Sequence, residues 1–220
     1  MTEPSSKAEP IDAPDLGIPG AYRVEDISVK EGMPIVLDMT RAVYSHDEIF
    51  GDYCTVNEFI AAPPEQVYEY LADTRSLAEW TYSTRALERT DTPDLWVADD
   101  RIGQHTRIYI KTVSNPVAGT VDYHCAWDQP EHLWMIYLMR VVDAQLVLNK
   151  PGSVVLWTNC RHPFYDENGY PETAPPDRPV WVGDFWDLFP AGHLLELCNL
   201  KAICEHRHAN GQPIKPEWMN

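Results

Sequence analysis

Glu58 stands in the run "DYCTVNEFIAA" (52–62), at the spacing that alternates it with Cys54, Val56 and Ile60. A carboxylate among apolar neighbours must be paired or lose its charge, and a raised pKa is how a general acid or base is prepared. The opposite parity turns Tyr53 and Phe59 inward and leaves Glu58 in water, the favoured reading because Glu is seldom buried without a partner. On either reading Glu58 is the foremost carboxylate. His193 lies three residues after Pro190. If a helix starts at that proline, His193 sits in its first turn, as a proton shuttle or as an ordinary surface histidine. Asn199 lies between apolar residues of the same run, and a buried amide there needs either structural partners or a ligand's carbonyl. "CNLKAICEHRH" brings Cys198, Cys204, His206 and His208 close in sequence. Only Cys204 and His208 can share a helical face, so no metal site is expected. Glycine-rich phosphate loops, G-x-S-x-G elbows and H-E-x-x-H motifs are all missing from the sequence, which demotes nucleotide, serine-hydrolase and zinc-protease chemistry. No cofactor is expected.

The elements that hold these residues are partly legible. Residues 52–62 are rich in aromatic and β-branched side chains and read as a first strand. Pro63 and Pro64 end it, and a proline is welcome in the first turn of a helix. Val67, Tyr68 and Leu71 recur at helical spacing, and Asp73 or Thr74 is placed to cap a second short helix, "RSLAEW". Trp80 closes that segment as a plug against the body. Strand-like runs follow at about 82–90, 94–99, 103–113, 117–128, 132–148 and 153–162, separated by turn signals such as "TDTPD", "SNP" and "NKPG". Short connections between successive strands argue an antiparallel meander. An irregular stretch at 162–179 precedes a long helix at 190–208, whose apolar circumference calls for burial against the sheet.

The bulk numbers bound the rest. The chain has 220 residues, 44% of them hydrophobic, enough for one substantial core. The net charge of −17 comes from 34 acidic and 17 basic residues. Such a surface repels phosphate backbones and anionic lipid, so neither nucleic acid nor a membrane is expected as partner. Five scattered cysteines suit free thiols in a reducing compartment, hence a cytoplasmic location. Residues 1–20 hold four prolines without apolar periodicity and read as a disordered tail. Residues 21–50 read as an N-terminal extension of unassigned structure, 51–210 as the folded domain, and 211–220 as a C-terminal tail.

Strand, two short helices, antiparallel meander and long terminal helix is the order of the helix-grip fold. The wording "FIAAPPEQVYEYLADTRSLAEW" resembles the opening signature of the SRPBCC superfamily, through Ile60, Ala62, Pro63, Glu65, Val67, Tyr68, Leu71, Asp73 and Trp80. That superfamily includes START domains, polyketide cyclases and plant Bet v 1-like proteins. "FPAGHLLEL" is similar to the proline-started terminal helix of its START-like members. The expected architecture is therefore α+β: a curved antiparallel sheet of six to seven strands wrapped around the long helix.

The resemblance implies a cavity between sheet and helix that holds an apolar or aromatic ligand. A tight hairpin at "SNPV" (114–117) would set Arg107 opposite His124 and Ile108 opposite Tyr123. Tyr123, Cys125 and Trp127 then face inward, while His124 and Asp122 face solvent. Candidate ligand contacts are Tyr123, Trp127, Thr158, Asn159, Leu195 and Asn199, and candidate proton-transfer groups are Glu58, Tyr137 and His193. The run "HLWMIYLMRVV" is apolar on both parities, so residues 21–50 or a second subunit should cover its outer face. Met135 and Met139 are candidates for a homodimer interface there. The leading functional expectation is an enzyme of the cyclase or dehydratase kind acting on a polyketide-like intermediate. Its rival is a non-catalytic carrier or sensor of a lipid or other apolar ligand.

Overall fold

Pro63 and Pro64 set the first boundary of the fold. Strand β1 (Tyr53–Ile60) stops just before them, and helix α1 (Pro64–Ala72) begins with a proline in its first turn. The computed structural model describes residues 51–219 and, upstream of them, Pro34 alone. The readings of 1–20 and 21–50 lie outside the described residues. The chain divides into two compact units, Met1–Ser45 and His46–Asn220, and every strand described belongs to the second.

Val67, Tyr70 and Leu71 are the buried side chains of α1. Asp73 accepts from the backbone N–H of Arg75 and so caps a 3-10 turn (Thr74–Ser76), which runs into the short helix α2 (Leu77–Trp80). Trp80 is buried, its Nε1 donates to Ser76 Oγ at 3.2 Å, and its ring meets Trp157 edge-on at 5.8 Å. The plug expected at this position is present.

Six further strands complete the sheet: β2 (Thr84–Arg89), β3 (Leu95–Asp100), β4 (Arg107–Asn115), β5 (Thr120–Trp127), β6 (Met135–Asp143) and β7 (Ser153–Cys160). Their spatial order is β1-β7-β6-β5-β4-β3-β2, antiparallel throughout. Helix α4 (Phe189–Ala209) buries Phe189, His193, Leu197, Leu200 and Cys204 in a single seam. This is the α+β helix-grip fold, with seven strands and a long C-terminal helix.

Several expectations need correction. The β4–β5 hairpin is not a tight turn at 114–117: Asn115 pairs with Thr120 across a four-residue loop, and Ile108 faces Trp127 rather than Tyr123. Asn115 holds the loop by accepting from the N–H groups of Val117 and Ala118. The run at 132–148 does not stay a strand. Asp143 accepts from the N–H of Gln145 at 2.8 Å and starts helix α3 (Ala144–Leu148), which Asn149 ends in the left-handed region. Helix α4 is not apolar-buried on most of its circumference, since Leu194, Leu195 and Cys198 are exposed. Met135 and Met139 lie on the inner face and are buried, so they form core rather than an interface. Leu138 and Arg140 point outward there and are exposed, as is Leu156, the β7 partner of Arg140. The last residues are not a loose tail within the described structure: Ile214 and Met219 are buried, and Arg207 donates to the Ile214 carbonyl at 2.8 Å.

The irregular stretch after β7 is an integral wall. It forms 3-10 turns at Pro163–Tyr165, Pro171–Thr173 and Val182–Leu188. Tyr165, Val182 and Trp186 are buried. Arg178 fastens it to the end of β5: its Nη2 donates to Asp128 Oδ2 at 2.7 Å and its Nη1 to Thr106 Oγ1 at 3.1 Å. Both side chains of this ion pair are nearly sealed from solvent, at 3% and 5% exposure.

Gly119 shows what the hairpin loop demands. Its φ is +68°, and a Cβ built there would lie 2.5 Å from the carbonyl oxygen of Val141. An alanine meets both the left-handed penalty and that backbone oxygen. Gly119→Ala is expected to lower unfolding free energy by about 1–3 kcal/mol, read by urea denaturation. An unchanged midpoint would mean that the loop relaxes freely.

Candidate functional site

A cavity of about 400 Å³ lies between the concave face of the sheet and the first half of α4. Strand alternation builds one wall. Ile108 and Ile110 of β4, Tyr123, Cys125 and Trp127 of β5, Tyr137 of β6 and Trp157 of β7 all point inward. The α2 end contributes Leu77 and Trp80, and α4 contributes Phe189, Gly192, His193, Leu195 and Glu196. Most of this surface is apolar, with a few polar groups converging on it, as ligand cavities require.

His193 is buried, with 8% exposure. Its ring lies 4.2 Å from that of Trp157, tilted by 30°, and its Nδ1 is 3.3 Å from Cys54 Sγ. Burial pulls its pKa down to about 3. At neutral pH this imidazole is therefore uncharged, and it is a hydrogen-bonding wall group rather than a proton shuttle. Burial likewise pushes the Cys54 thiol up to about 12, so it stays protonated. Tyr137 is held neutral as well, its phenol pushed well above the usual range by burial and by the neighbouring Tyr165. Tyr123 donates its hydroxyl to the Leu71 carbonyl at 2.6 Å, which fixes the ring against α1.

Glu196 is the titratable group that stands apart. It lies one turn beyond His193 on α4, lines the cavity, and accepts from the Tyr82 N–H at 2.7 Å. Burial, reinforced by the negative charge of Asp100, raises its pKa to about 7. Asp100 lies at the end of β3 with 5% exposure. It accepts from Trp127 Nε1 at 2.9 Å and from the Ile102 N–H at 3.2 Å. Two carboxyls of different environment thus share one apolar chamber.

The sequence-level candidates divide accordingly. Tyr123, Trp127, Tyr137, His193 and Leu195 line the cavity. Glu58 does not: it shares a strand face with buried Cys54 and Ile60, yet its Oε1 accepts from Lys201 Nζ at 3.0 Å, half-buried beside α4. A carboxylate neutralised by an ion pair is a strut, not a prepared acid. Thr158 is on the outer face and shares a hydrogen bond with Thr55 at 3.0 Å. Asn159 faces inward and is buried behind Tyr165, to whose hydroxyl its Nδ2 donates at 3.4 Å. Asn199 is spent on structure, its Nδ2 donating to the Trp80 carbonyl at 3.2 Å. Glu196 and Asp100 escaped the sequence reading. The one available signal was the His193–Glu196 spacing of three, which puts both on one side of a helix.

Among the described residues no helix is long and apolar enough to cross a membrane. No protein-family model matches the chain, and no curated protein matches it. Solved structures similar to it include XoxI from Bacillus cereus, with 15% identity, TM-score 0.48, and coverage of 69% of this chain and 94% of that one. The Zhui aromatase/cyclase from Streptomyces sp. R1128 has 18% identity and TM-score 0.48, covering 73% and 98%. A START superfamily protein from Mycobacterium smegmatis has 14% identity and TM-score 0.46, covering 71% and 99%.

Proposed function

We propose that this helix-grip protein encloses a largely apolar, ring-bearing or ring-forming small molecule between its sheet and terminal helix, and moves a proton on it through Glu196. The observation that carries the reading is a carboxyl whose pKa is about 7 inside an aromatic chamber. Such a group is present in both forms at neutral pH, which is what general acid–base catalysis asks of it. Cyclisation and dehydration fit this equipment. As carboxylate, Glu196 takes a proton from carbon next to a carbonyl. The resulting enolate closes the ring by a carbon–carbon bond onto a second carbonyl, whose oxygen takes the proton from Glu196. Loss of that hydroxyl with a second α-proton as water leaves a carbon–carbon double bond in the ring. Tyr137 and His193 act as neutral hydrogen-bonding groups that orient the chain. The walls exclude water and hold reacting atoms close, so orientation supplies much of the acceleration.

Native mass spectrometry of the gently purified protein, with the denatured mass as control, is the test. A retained small molecule is expected, and incubation should convert it. Glu196→Gln keeps the acceptor for Tyr82 and is expected to retain the molecule while slowing conversion by about 10²–10⁴-fold. Unaltered conversion by that variant would remove Glu196 from the chemistry. A molecule retained unchanged by both proteins would make this a carrier.

A further inference from the structure

The cavity has a charge character that its shape does not require. Among the described residues its lining includes two carboxyls, Asp100 and Glu196, and no lysine or arginine. Neither carboxyl has an ion pair among the described residues. Asp100 is held by two uncharged donors, the Trp127 indole and the Ile102 backbone. Glu196 takes the Tyr82 N–H on one oxygen. Arg85, whose charge acts on Glu196 from outside the lining, turns its Nη1 to the carbonyls of Thr81 and Thr84, at 2.9 and 2.6 Å. The same lining includes the rings of Trp80, Tyr123, Tyr137 and Trp157.

We infer that the molecule this cavity takes carries a positively charged nitrogen on its apolar ring system, with the ammonium paired to Asp100 and the ring against the aromatic wall, Glu196 being left for the proton transfer proposed above. The inference rests on the reading of the cavity as a ligand site and names the class of ligand. Three physical facts point the same way. Buried carboxylates without counter-charge are costly, and an ammonium supplies the charge and the donors they lack. Aromatic faces attract cations through their quadrupole, most strongly where water is excluded. An anionic ligand (a fatty acid, an acyl carboxylate or a phosphate ester) would bring a further negative charge to a chamber with no cation among the described residues of its lining.

Isothermal titration calorimetry of the full chain at about pH 8, where Glu196 is mostly ionised, tests this with three probes of one shape: 2-naphthylmethylammonium, 2-naphthalenemethanol and 2-naphthoate. The ammonium is expected to bind about tenfold or more tighter than the alcohol, and the carboxylate weakest of all. In Asp100→Asn the ammonium's advantage should shrink toward parity while the alcohol binds as before. Asp100→Glu, which keeps the charge should Asp100→Asn fold poorly, is expected to keep the ammonium ahead of the alcohol. Equal binding of ammonium and alcohol, or preference for the carboxylate, overturns the inference and leaves the cavity a neutral-ligand site. Failure of all three probes to bind overturns the ligand-site reading itself, and this inference with it.

Discussion

Arg178→Met will cost the protein about 3–5 kcal/mol of unfolding free energy, measured by urea denaturation. The reason is not the strength of the Arg178–Asp128 attraction but what its removal strands. Asp128 is 5% exposed and has φ +65°. Without the guanidinium its carboxylate stays buried, keeping only a long 3.4 Å contact from the Arg107 N–H. Asp128→Asn should cost a similar amount by stranding the arginine instead, since asparagine tolerates the left-handed backbone that aspartate occupies. The double variant is expected to recover most of the loss, because two neutral side chains leave no buried charge uncompensated. A coupling energy above about 2 kcal/mol in that cycle is the signature of a sealed pair. A single-variant loss below about 1 kcal/mol would instead put the pair among solvent-screened bridges.

The second large effect is on the pH dependence of stability. His193 has a folded pKa of about 3 against 6.5 ordinarily. The unfolded chain therefore binds a proton first as acid is added, so this histidine's stabilising part is complete above pH 6.5 and is lost as pH falls toward 3. The full interval corresponds to about 5 kcal/mol. Glu196 has the opposite sign. Its folded pKa of about 7 exceeds the ordinary 4.5, so its part is complete below pH 4.5 and is lost as pH rises through 7, a change of about 3 kcal/mol. Between 4.5 and 6.5 the two slopes oppose and stability should be nearly level. Urea unfolding followed by tryptophan fluorescence from about pH 3.5 to 8 reads both limbs. His193→Phe is expected to flatten the acid limb and Glu196→Gln the neutral one. An acid limb of equal steepness in His193→Phe would assign it to other groups.

What the sequence disclosed follows from periodicity. The period of two placed Tyr123, Cys125 and Trp127 on the inner face although the hairpin register was four positions off, because an even slip moves partners without turning a side chain over. The same rule could not resolve Glu58. Its inward parity is the true one, with Cys54 and Ile60 buried, but Lys201 meets it from the terminal helix, and no strand pattern contains that helix. Glu196 and Asp100 illustrate the limit more sharply. Each is an ordinary acidic residue in its own segment, and their effect arises only because the end of β3 and α4 line one cavity. The break at Asp143 was legible in principle as a capping aspartate, but the apolar run "AQLVL" behind it reads equally as more strand.

The order of the strands has a consequence for how the chain is made. Among the described strands β1 has one neighbour in the sheet, β7, which sets Tyr53 beside Cys160. The meander from β2 to β7 pairs each strand with the next and grows by local steps. β1 instead waits with both edges open until almost the whole domain has been synthesised, and its docking closes the longest loop in the sheet. Helix α4 comes later still, and it brings His193 to Cys54 and Glu196 to the cavity. The chamber is therefore complete only after β7 and α4 have been made, and a molecule that binds there stabilises the domain only from that stage onward.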